Sequence, residues 1–208
     1  MSTEIHEDQE ILTAGSNLED AEKAVILLHG RGATAQGILQ LENQLKVNNT
    51  SFFAPQAAQR TWYPNSFLQP RENNQPHLKS ALKTVNRLVE RISKELSREK
   101  IVIAGFSQGA CLATEYAASE PEKFGGVIGF SGGLIGKELP NYTGDLEDTP
   151  VFLGCAENDP HIPLERVEET EKVFRELNAN VEKHIFEGSY HGIVSTEIEK
   201  ARQLVKNV

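Results

Sequence analysis

The sequence predicts an α/β fold in which a mainly parallel sheet of about six or seven strands carries helices on both faces. Short apolar runs alternate with stretches of helical periodicity along most of the 208 residues. Most of these runs are apolar throughout, which is typical of parallel strands that are buried on both faces. The composition, with 38% hydrophobic and 25% charged residues, is ordinary for a globular protein.

Seven runs are predicted to be strands. Residues 11–14 form an edge strand, and residues 181–186 alternate enough to be a later, more exposed strand. The strands between them are residues 23–28, 51–54, 101–104, 126–130 and 150–154. Helices are predicted around residues 38–45, over about 77–96, from 110 and over about 164–177. A last helix is predicted near the C-terminus, where Thr196 and Glu199 are a candidate capping box.

Length and charge restrict the class of protein. We interpret residues 1–208 as a single domain, with residues 1–10 as a flexible tail. A net charge of −9 disfavours nucleic acid and anionic membranes as partners. The acidic N-terminus is unlike a signal peptide, and no apolar run reaches the roughly 20 residues that span a bilayer. Cys111 and Cys155 lack metal-ligand spacing and are expected to be buried thiols. These features fit a cytoplasmic enzyme without stable membrane insertion.

The segment Gly105-Phe106-Ser107-Gln108-Gly109 is the most informative one. It joins a predicted strand to a predicted helix and matches the G-x-S-x-G nucleophile elbow of α/β-hydrolases. Glycines on both sides of Ser107 relieve the clashes of a sharp turn that exposes one hydroxyl. The sequence therefore predicts Ser107 as a nucleophile.

A serine nucleophile needs a base, which follows the acid in the chain order of this fold. The chain has six histidines: His6, His29, His77, His161, His184 and His191. His6 lies in the predicted tail and His184 lies inside a predicted strand, so neither is well placed. His191 follows the last strand in a loop that contains glycines, and we predict that it is the base.

The acid should follow the strand that lies between the nucleophile and the base. Residues 157–160 offer Glu157 and Asp159, and the rigid Pro160 next to Asp159 favours the latter. Glu157 remains the alternative. His161 either supports the acid or is simply an exposed polar residue.

When a serine attacks a carbonyl carbon, the carbonyl oxygen becomes an oxyanion, which two backbone N–H donors usually stabilise. The amide of Gln108, at the start of the helix, is one candidate. The other is expected from the glycine-containing turn of residues 28–33, which lacks the lysine spacing and glycine pattern of a phosphate-binding loop. Residues 56–76 form a long segment without periodicity, which predicts an ordered loop that lines a pocket or an aromatic cluster that anchors the loop. Trp62, in this loop, and Phe106 are the pocket candidates.

Taken together, these segments resemble the phospholipase/carboxylesterase family of α/β-hydrolases, which includes bacterial carboxylesterases and acyl-protein thioesterases. The resemblance covers residues 27–32, 54–56, 61–64, 105–109, 131–133, 154–163 and 191–192. It implies a hydrolase without a large lid domain, a Ser107–Asp159–His191 triad, no metal, and an oxyanion hole formed by the amides of Arg31 and Gln108.

We therefore expect a serine carboxylesterase that hydrolyses small to medium esters through an acyl-enzyme on Ser107, without a cofactor. The partner is a small-molecule ester; a homodimer is compatible with the sequence, but no surface stripe identifies an interface. A thioesterase or lysophospholipase with the same triad is the first alternative. A dienelactone-hydrolase-like enzyme would normally carry cysteine at the elbow, whereas Cys111 lies further along the chain. A non-catalytic ligand-binding protein of this fold would typically lack a triad member.

Overall fold

One mixed sheet organises the chain, and the computed structural model describes residues 4–45 and 47–208. Within these residues the sheet has seven strands in the order β1-β3-β2-β4-β5-β6-β7. The strands are β1 Ile11–Gly15, β2 Lys23–Leu28, β3 Thr50–Pro55, β4 Ile101–Phe106, β5 Gly126–Phe130, β6 Pro150–Ala156 and β7 Asn180–Phe186. Only β1 is antiparallel to its neighbour, so the predicted mainly parallel sheet is confirmed.

Six α-helices within the described residues cover the two faces of the sheet. They are α1 Ala35–Leu39, α2 Leu41–Leu45, α3 His77–Ile92, α4 Gln108–Ser119, α5 Leu164–Glu176 and α6 Ser195–Asn207. Helices α3, α4 and α5 contribute to one apolar core, and α1, α2 and α6 contribute to the other. Alternate residues of β2 enter the two cores, with Ile26 in the first and Leu27 in the second. This two-sided burial explains why the sequence of β2 is apolar throughout.

The register brings the ends of the central strands together. Leu28, the last residue of β2, pairs with Gly105 near the end of β4, and Phe106 pairs with Phe130 at the end of β5. Because these strands are parallel, the turns that follow them lie at one edge of the sheet. In folds of this type, ligands bind at that edge.

Two helix boundaries differ from the prediction. Helix α3 ends at Ile92 rather than near residue 96. Helix α6 begins at Ser195, and the side chain that reaches back to its start is Glu197, which accepts a hydrogen bond from the amide of Val194 at 2.9 Å. The predicted capping box of Thr196 and Glu199 therefore lies two residues too far along the chain. Among the described residues, no helix is both long enough and apolar enough to cross a membrane.

The N-terminal segment is packed against the domain where the sequence predicts a flexible tail. His6 is 1% exposed. The amides of Ile5 and His6 donate to the hydroxyl of Ser80 on α3 at 2.8 and 3.1 Å. Glu7 pairs with Arg87 on the same helix. These contacts correct the prediction for residues 5–7, while residues 1–3 of the predicted tail lie outside the described residues.

Candidate active site

The turn from β4 into α4 holds Ser107 in a strained conformation. Its backbone has φ of 56° and ψ of −120°, in the positive-φ region that side chains disfavour. A Cβ on Gly105 would lie 2.2 Å from the carbonyl oxygen of Gly109, and one on Gly109 would lie 2.0 Å from that of Leu28. Both glycines are therefore required by close backbone contacts at this turn.

Three side chains from separate turns form a continuous hydrogen-bonded relay. The hydroxyl of Ser107 donates to Nε2 of His191 at 2.8 Å. Nδ1–H of His191 donates to Asp159, 2.8 Å from Oδ2 and 3.0 Å from Oδ1. We assigned this tautomer from the two partners, because a carboxylate only accepts. The structure thus brings the predicted nucleophile, base and acid together in the predicted order.

Asp159 is held in place by several donors. Its side chain is fully buried. Its Oδ1 also accepts hydrogen bonds from the amides of His161 and Ile162, at 2.8 and 3.1 Å. Burial acts to raise the pKa of Asp159, but the hydrogen bonds from His191 and these amides outweigh it and hold the pKa below its usual value. Glu157, the alternative acid, is exposed. The charged form of Asp159 is thus stabilised next to the imidazole.

Two backbone amides are available at the cavity beside Ser107. Arg31 follows β2 and Gln108 begins α4, and both residues line the cavity. Within the described part of the chain, neither amide donates to a protein acceptor. Because backbone N–H groups are strong hydrogen-bond donors, these two amides are suited to an oxygen of a bound molecule.

His29 shapes the turn that carries the Arg31 amide. Its ring is buried, and Nδ1–H donates to the carbonyl of Gly30 at 2.8 Å. Nε2 accepts from the amide of Ala57 at 3.0 Å. Burial lowers the pKa of His29, which keeps the ring neutral and allows it to accept at Nε2. The sequence alone does not predict this role for His29.

Trp62 does not line the cavity, contrary to the prediction. Its side chain is completely buried, and Nε1–H donates to the carbonyl of His29 at 2.9 Å. The side chain of Gln108 holds the same loop, because it accepts from the amide of Trp62 and donates to the carbonyl of Tyr63, at 2.9 and 2.8 Å. Trp62 therefore anchors the loop, which is the second of the two structures that the sequence predicts for residues 56–76.

The cavity next to Ser107 has a volume of about 530 Å³. Phe106 lines it as predicted, and His161 is exposed at its edge with its ring 4.8 Å from that of His191. The other lining residues are Gly30, Arg31, Ala33, Tyr63, Pro64, Asn65, Ser66, Phe67, Ser107, Gln108, Cys111, Ile162 and His191. Among residues 4–45 and 47–208, no three His, Cys, Asp or Glu side chains are arranged to hold a metal ion.

Cys111 and Cys155 are buried, as predicted. Burial raises the pKa of the Cys111 thiol to about 11. A thiol with this pKa is protonated near neutral pH and is a poor nucleophile. Although Cys111 lines the cavity, Ser107 is therefore the better candidate for covalent chemistry.

Comparisons with known proteins identify the family of this chain. Residues 11–208 match the family described as Phospholipase/Carboxylesterase. The chain belongs to the phospholipase/carboxylesterase family. A phospholipase/carboxylesterase of known structure from Dyadobacter fermentans is 44% identical, with 97% of this chain and 96% of that chain covered and a TM-score of 0.90.

More distant members extend the comparison. Acyl-protein thioesterase 1 of Saccharomyces cerevisiae is 26% identical over 94% of this chain and 96% of its own length. The Bacillus cereus carboxylesterase structure is 21% identical, with 97% and 95% of the two chains covered and a TM-score of 0.75, which is a likeness of fold. The family assignment places this chain among the α/β-hydrolases that act on ester bonds.

Proposed function

We propose that this protein is a serine carboxylesterase that hydrolyses small to medium carboxylic esters through an acyl-enzyme on Ser107. The observation that carries the proposal is the relay from Ser107 through His191 to Asp159, beside a cavity lined by Arg31 and Gln108, whose amides donate to no acceptor among the described residues. A base within hydrogen-bonding distance, itself oriented by an acid, is the arrangement that makes a serine hydroxyl nucleophilic.

Acylation begins when Oγ of Ser107 attacks the ester carbonyl carbon. His191 takes the hydroxyl proton at Nε2, and Asp159 stabilises the resulting imidazolium while holding its Nδ1–H. The amides of Arg31 and Gln108 donate to the oxyanion that forms on the carbonyl oxygen. When the tetrahedral intermediate collapses, the C–O bond to the alcohol breaks and His191 returns the proton to the departing oxygen.

Deacylation repeats these steps with water. His191 removes a proton from water, whose oxygen attacks the acyl carbon, and the proton then passes to Oγ of Ser107 as the carboxylic acid leaves. The relay returns to its starting state, so no cofactor is consumed.

The test uses p-nitrophenyl acetate and the variant Ser107→Ala. We expect kcat/KM to fall about 10⁴-fold or more, because the nucleophile is removed while the rest of the site is retained. Ser189→Ala is the matched control, since it removes an exposed serine from the loop that carries His191. A fluorophosphonate should label the wild-type protein at Ser107, as located by peptide mass spectrometry. Full turnover by Ser107→Ala, or labelling elsewhere only, would overturn the proposal.

A second candidate, acyl-thioester hydrolysis with the same residues, is supported by the curated relatives that are named acyl-protein thioesterase 1. The two activities are separated by a matched pair of substrates, an oxygen ester and a thioester with the same acyl chain. A higher kcat/KM for the thioester, after correction for its greater intrinsic reactivity, would favour the second candidate.

A further inference from the structure

The side chain of Arg31 is fixed at the wall of the cavity. Nη1 donates to the carbonyl of Pro64 and Nη2 donates to that of Asn65, both at 2.7 Å. The guanidinium lies 5.9 Å from the centre of the Tyr63 ring. A guanidinium has further N–H groups, so donors remain for a ligand after these two bonds. Arg31 therefore offers an oriented cation at the site.

The charge of Arg31 has no acidic partner. Among the described residues, no carboxylate lies within 4.0 Å of its guanidinium, whereas Arg71, Arg87, Arg98, Arg166, Arg175 and Arg202 each pair with a glutamate. Its hydrogen-bond acceptors are neutral carbonyl oxygens. Carbonyl groups hold the side chain in place without cancelling its charge, so an uncompensated positive charge lies at a residue that lines the cavity.

The rest of the cavity wall carries no negatively charged side chain. The chain contains 30 acidic and 21 basic residues, yet none of the residues that line the cavity is an aspartate or glutamate. Asp159 is not among the lining residues, and its carboxylate is bonded to His191. The imidazole of His161 also lies at the edge of the cavity. In a protein with a net charge of −9, an acid-free cavity with a fixed arginine favours negatively charged ligands.

We propose that the preferred substrates are esters that carry a carboxylate as a second group, and that the guanidinium of Arg31 binds this carboxylate. Arginine is suited to this role because its planar N–H groups match a carboxylate in charge and shape. The inference rests on the proposed esterase activity. Arg31 would thus have two roles: its backbone amide donates to the carbonyl oxygen of the ester, and its guanidinium binds the carboxylate elsewhere in the substrate.

The test uses two pairs of substrates that differ only in charge. Mono-4-nitrophenyl adipate and 4-nitrophenyl hexanoate place or omit the carboxylate on the acyl side. In the second pair the difference lies on the leaving group: 3-acetoxybenzoate carries the carboxylate there, and 3-acetoxybenzamide has a neutral amide in its place. For each pair, the measured quantity is the ratio of kcat/KM for the anionic ester to that for the neutral ester.

In the wild type we expect this ratio to exceed one on at least one side of the ester. In Arg31→Gln it should fall about tenfold or more, because a hydrogen bond to a charged group is lost. Arg31→Lys should retain part of the preference, since it keeps the charge without the planar geometry. Arg60→Gln is the matched control, because Arg60 is an exposed arginine that also donates to a backbone carbonyl, that of Ala33, but does not line the cavity.

Taking a ratio within each variant removes any effect of the substitution on the Arg31 amide. A wild-type ratio of one or less on both sides, or an equal ratio in the wild type and Arg31→Gln on both sides, would overturn the inference. Turnover of the neutral esters in those cases would leave the esterase proposal intact. Absence of turnover with all four substrates would overturn both.

Discussion

The indole N–H of Trp62 donates to the carbonyl oxygen of His29 at 2.9 Å, and both residues are completely buried. The rings of the two residues also lie 5.1 Å apart. His29 in turn binds the carbonyl of Gly30, which precedes the Arg31 amide. The long loop after β3 is therefore linked through hydrogen bonds to the turn that carries the Arg31 amide, which we propose as one of the two oxyanion donors.

This connection predicts that Trp62→Phe impairs catalysis without any contact to substrate. The change leaves the buried carbonyl of His29 without its donor, at an expected cost of about 1–3 kcal/mol in the free energy of unfolding. We expect kcat/KM for p-nitrophenyl acetate to fall about tenfold or more, as the turn loses its support. Denaturant unfolding and steady-state kinetics measure the two effects.

Tyr116→Phe is the control for Trp62→Phe. Tyr116 is also buried, and its hydroxyl donates to the side chain of Asn86 at 2.9 Å, away from the cavity. It should lose stability while kcat/KM stays near the wild-type value. Wild-type kcat/KM in folded Trp62→Phe would show that the turn does not depend on this hydrogen bond.

Trp62 and Ser107 show what the sequence can and cannot predict. The turn around Ser107 is specified locally, by five consecutive residues and the strand and helix that flank them. The order Ser, Asp or Glu, His along the chain of this fold then indicates where to look for the acid and the base. Trp62 lies in a loop without periodicity, so its side chain could point either into the cavity or into the core. That choice depends on Gln108 and His29, which are distant in sequence.

The prediction of a flexible N-terminal tail is wrong for a related reason. Residues 4–10 are polar and acidic, which locally resembles a solvated tail. Their order comes from contacts with Ser80 and Trp62, more than fifty residues away. Single-sequence patterns do not contain such long-range partners, whereas the alternation of strands and helices repeats along the chain and was sufficient to predict the sheet.

Asp159 is expected to orient His191, and Glu157 is not. Asp159→Asn should lower kcat about 10⁴-fold, because an amide favours the wrong tautomer of the imidazole. Glu157→Gln, its matched control two residues earlier in the same loop, should stay close to the wild type because Glu157 is exposed. Steady-state kinetics with p-nitrophenyl acetate separates the variants. A large loss in Glu157→Gln with little change in Asp159→Asn would reverse the assignment.

His6 should make the protein less stable as the pH falls below about 6.5. Its Nε2–H donates to the carbonyl of Trp62 at 3.0 Å, and Nδ1 accepts from the amide of Ala58 at 3.1 Å. Burial lowers the pKa of His6 from the ordinary value of 6.5, although the hydrogen bond to Trp62 opposes this. The unfolded chain therefore binds a proton at a higher pH than the folded chain, and stability is lost from about pH 6.5 down to the folded pKa.

His6→Gln should consequently flatten the dependence of unfolding free energy on pH between 7 and 5, by at most about 1.4 kcal/mol per pH unit, the limit for one proton. Part of the slope should remain, since burial lowers the pKa of His29 as well. Ser80→Ala is the control, because it weakens the same segment without removing a titratable group. Urea unfolding at several pH values provides the measurement, and an unchanged slope in His6→Gln would contradict the prediction.

Glu197 should have the opposite effect, a loss of stability as the pH rises. It is 1% exposed, its Oε2 accepts from the amide of Val194, and its buried Oε1 has no hydrogen-bond partner in the described chain. Burial raises the pKa of Glu197 from 4.5 to about 7, and the charge of Asp159 adds to the shift. The folded state thus retains a proton that the unfolded state has lost, so this group makes stability fall as the pH rises from about 4.5 to 7.

Glu197→Gln removes this penalty, because the amide can still accept from Val194 and carries no charge. We expect a gain of about 1–3 kcal/mol in unfolding free energy at pH 8 and a much smaller change at pH 4.5. Glu199→Gln, which removes an exposed carboxyl from the same helix, tests whether loss of charge from α6 alone has this effect. Equal stability of Glu197→Gln and the wild type at pH 8 would mean that the buried carboxyl ionises without cost. A gain that grows with pH would show that the helix after the His191 loop is held by a carboxylic acid in its protonated form.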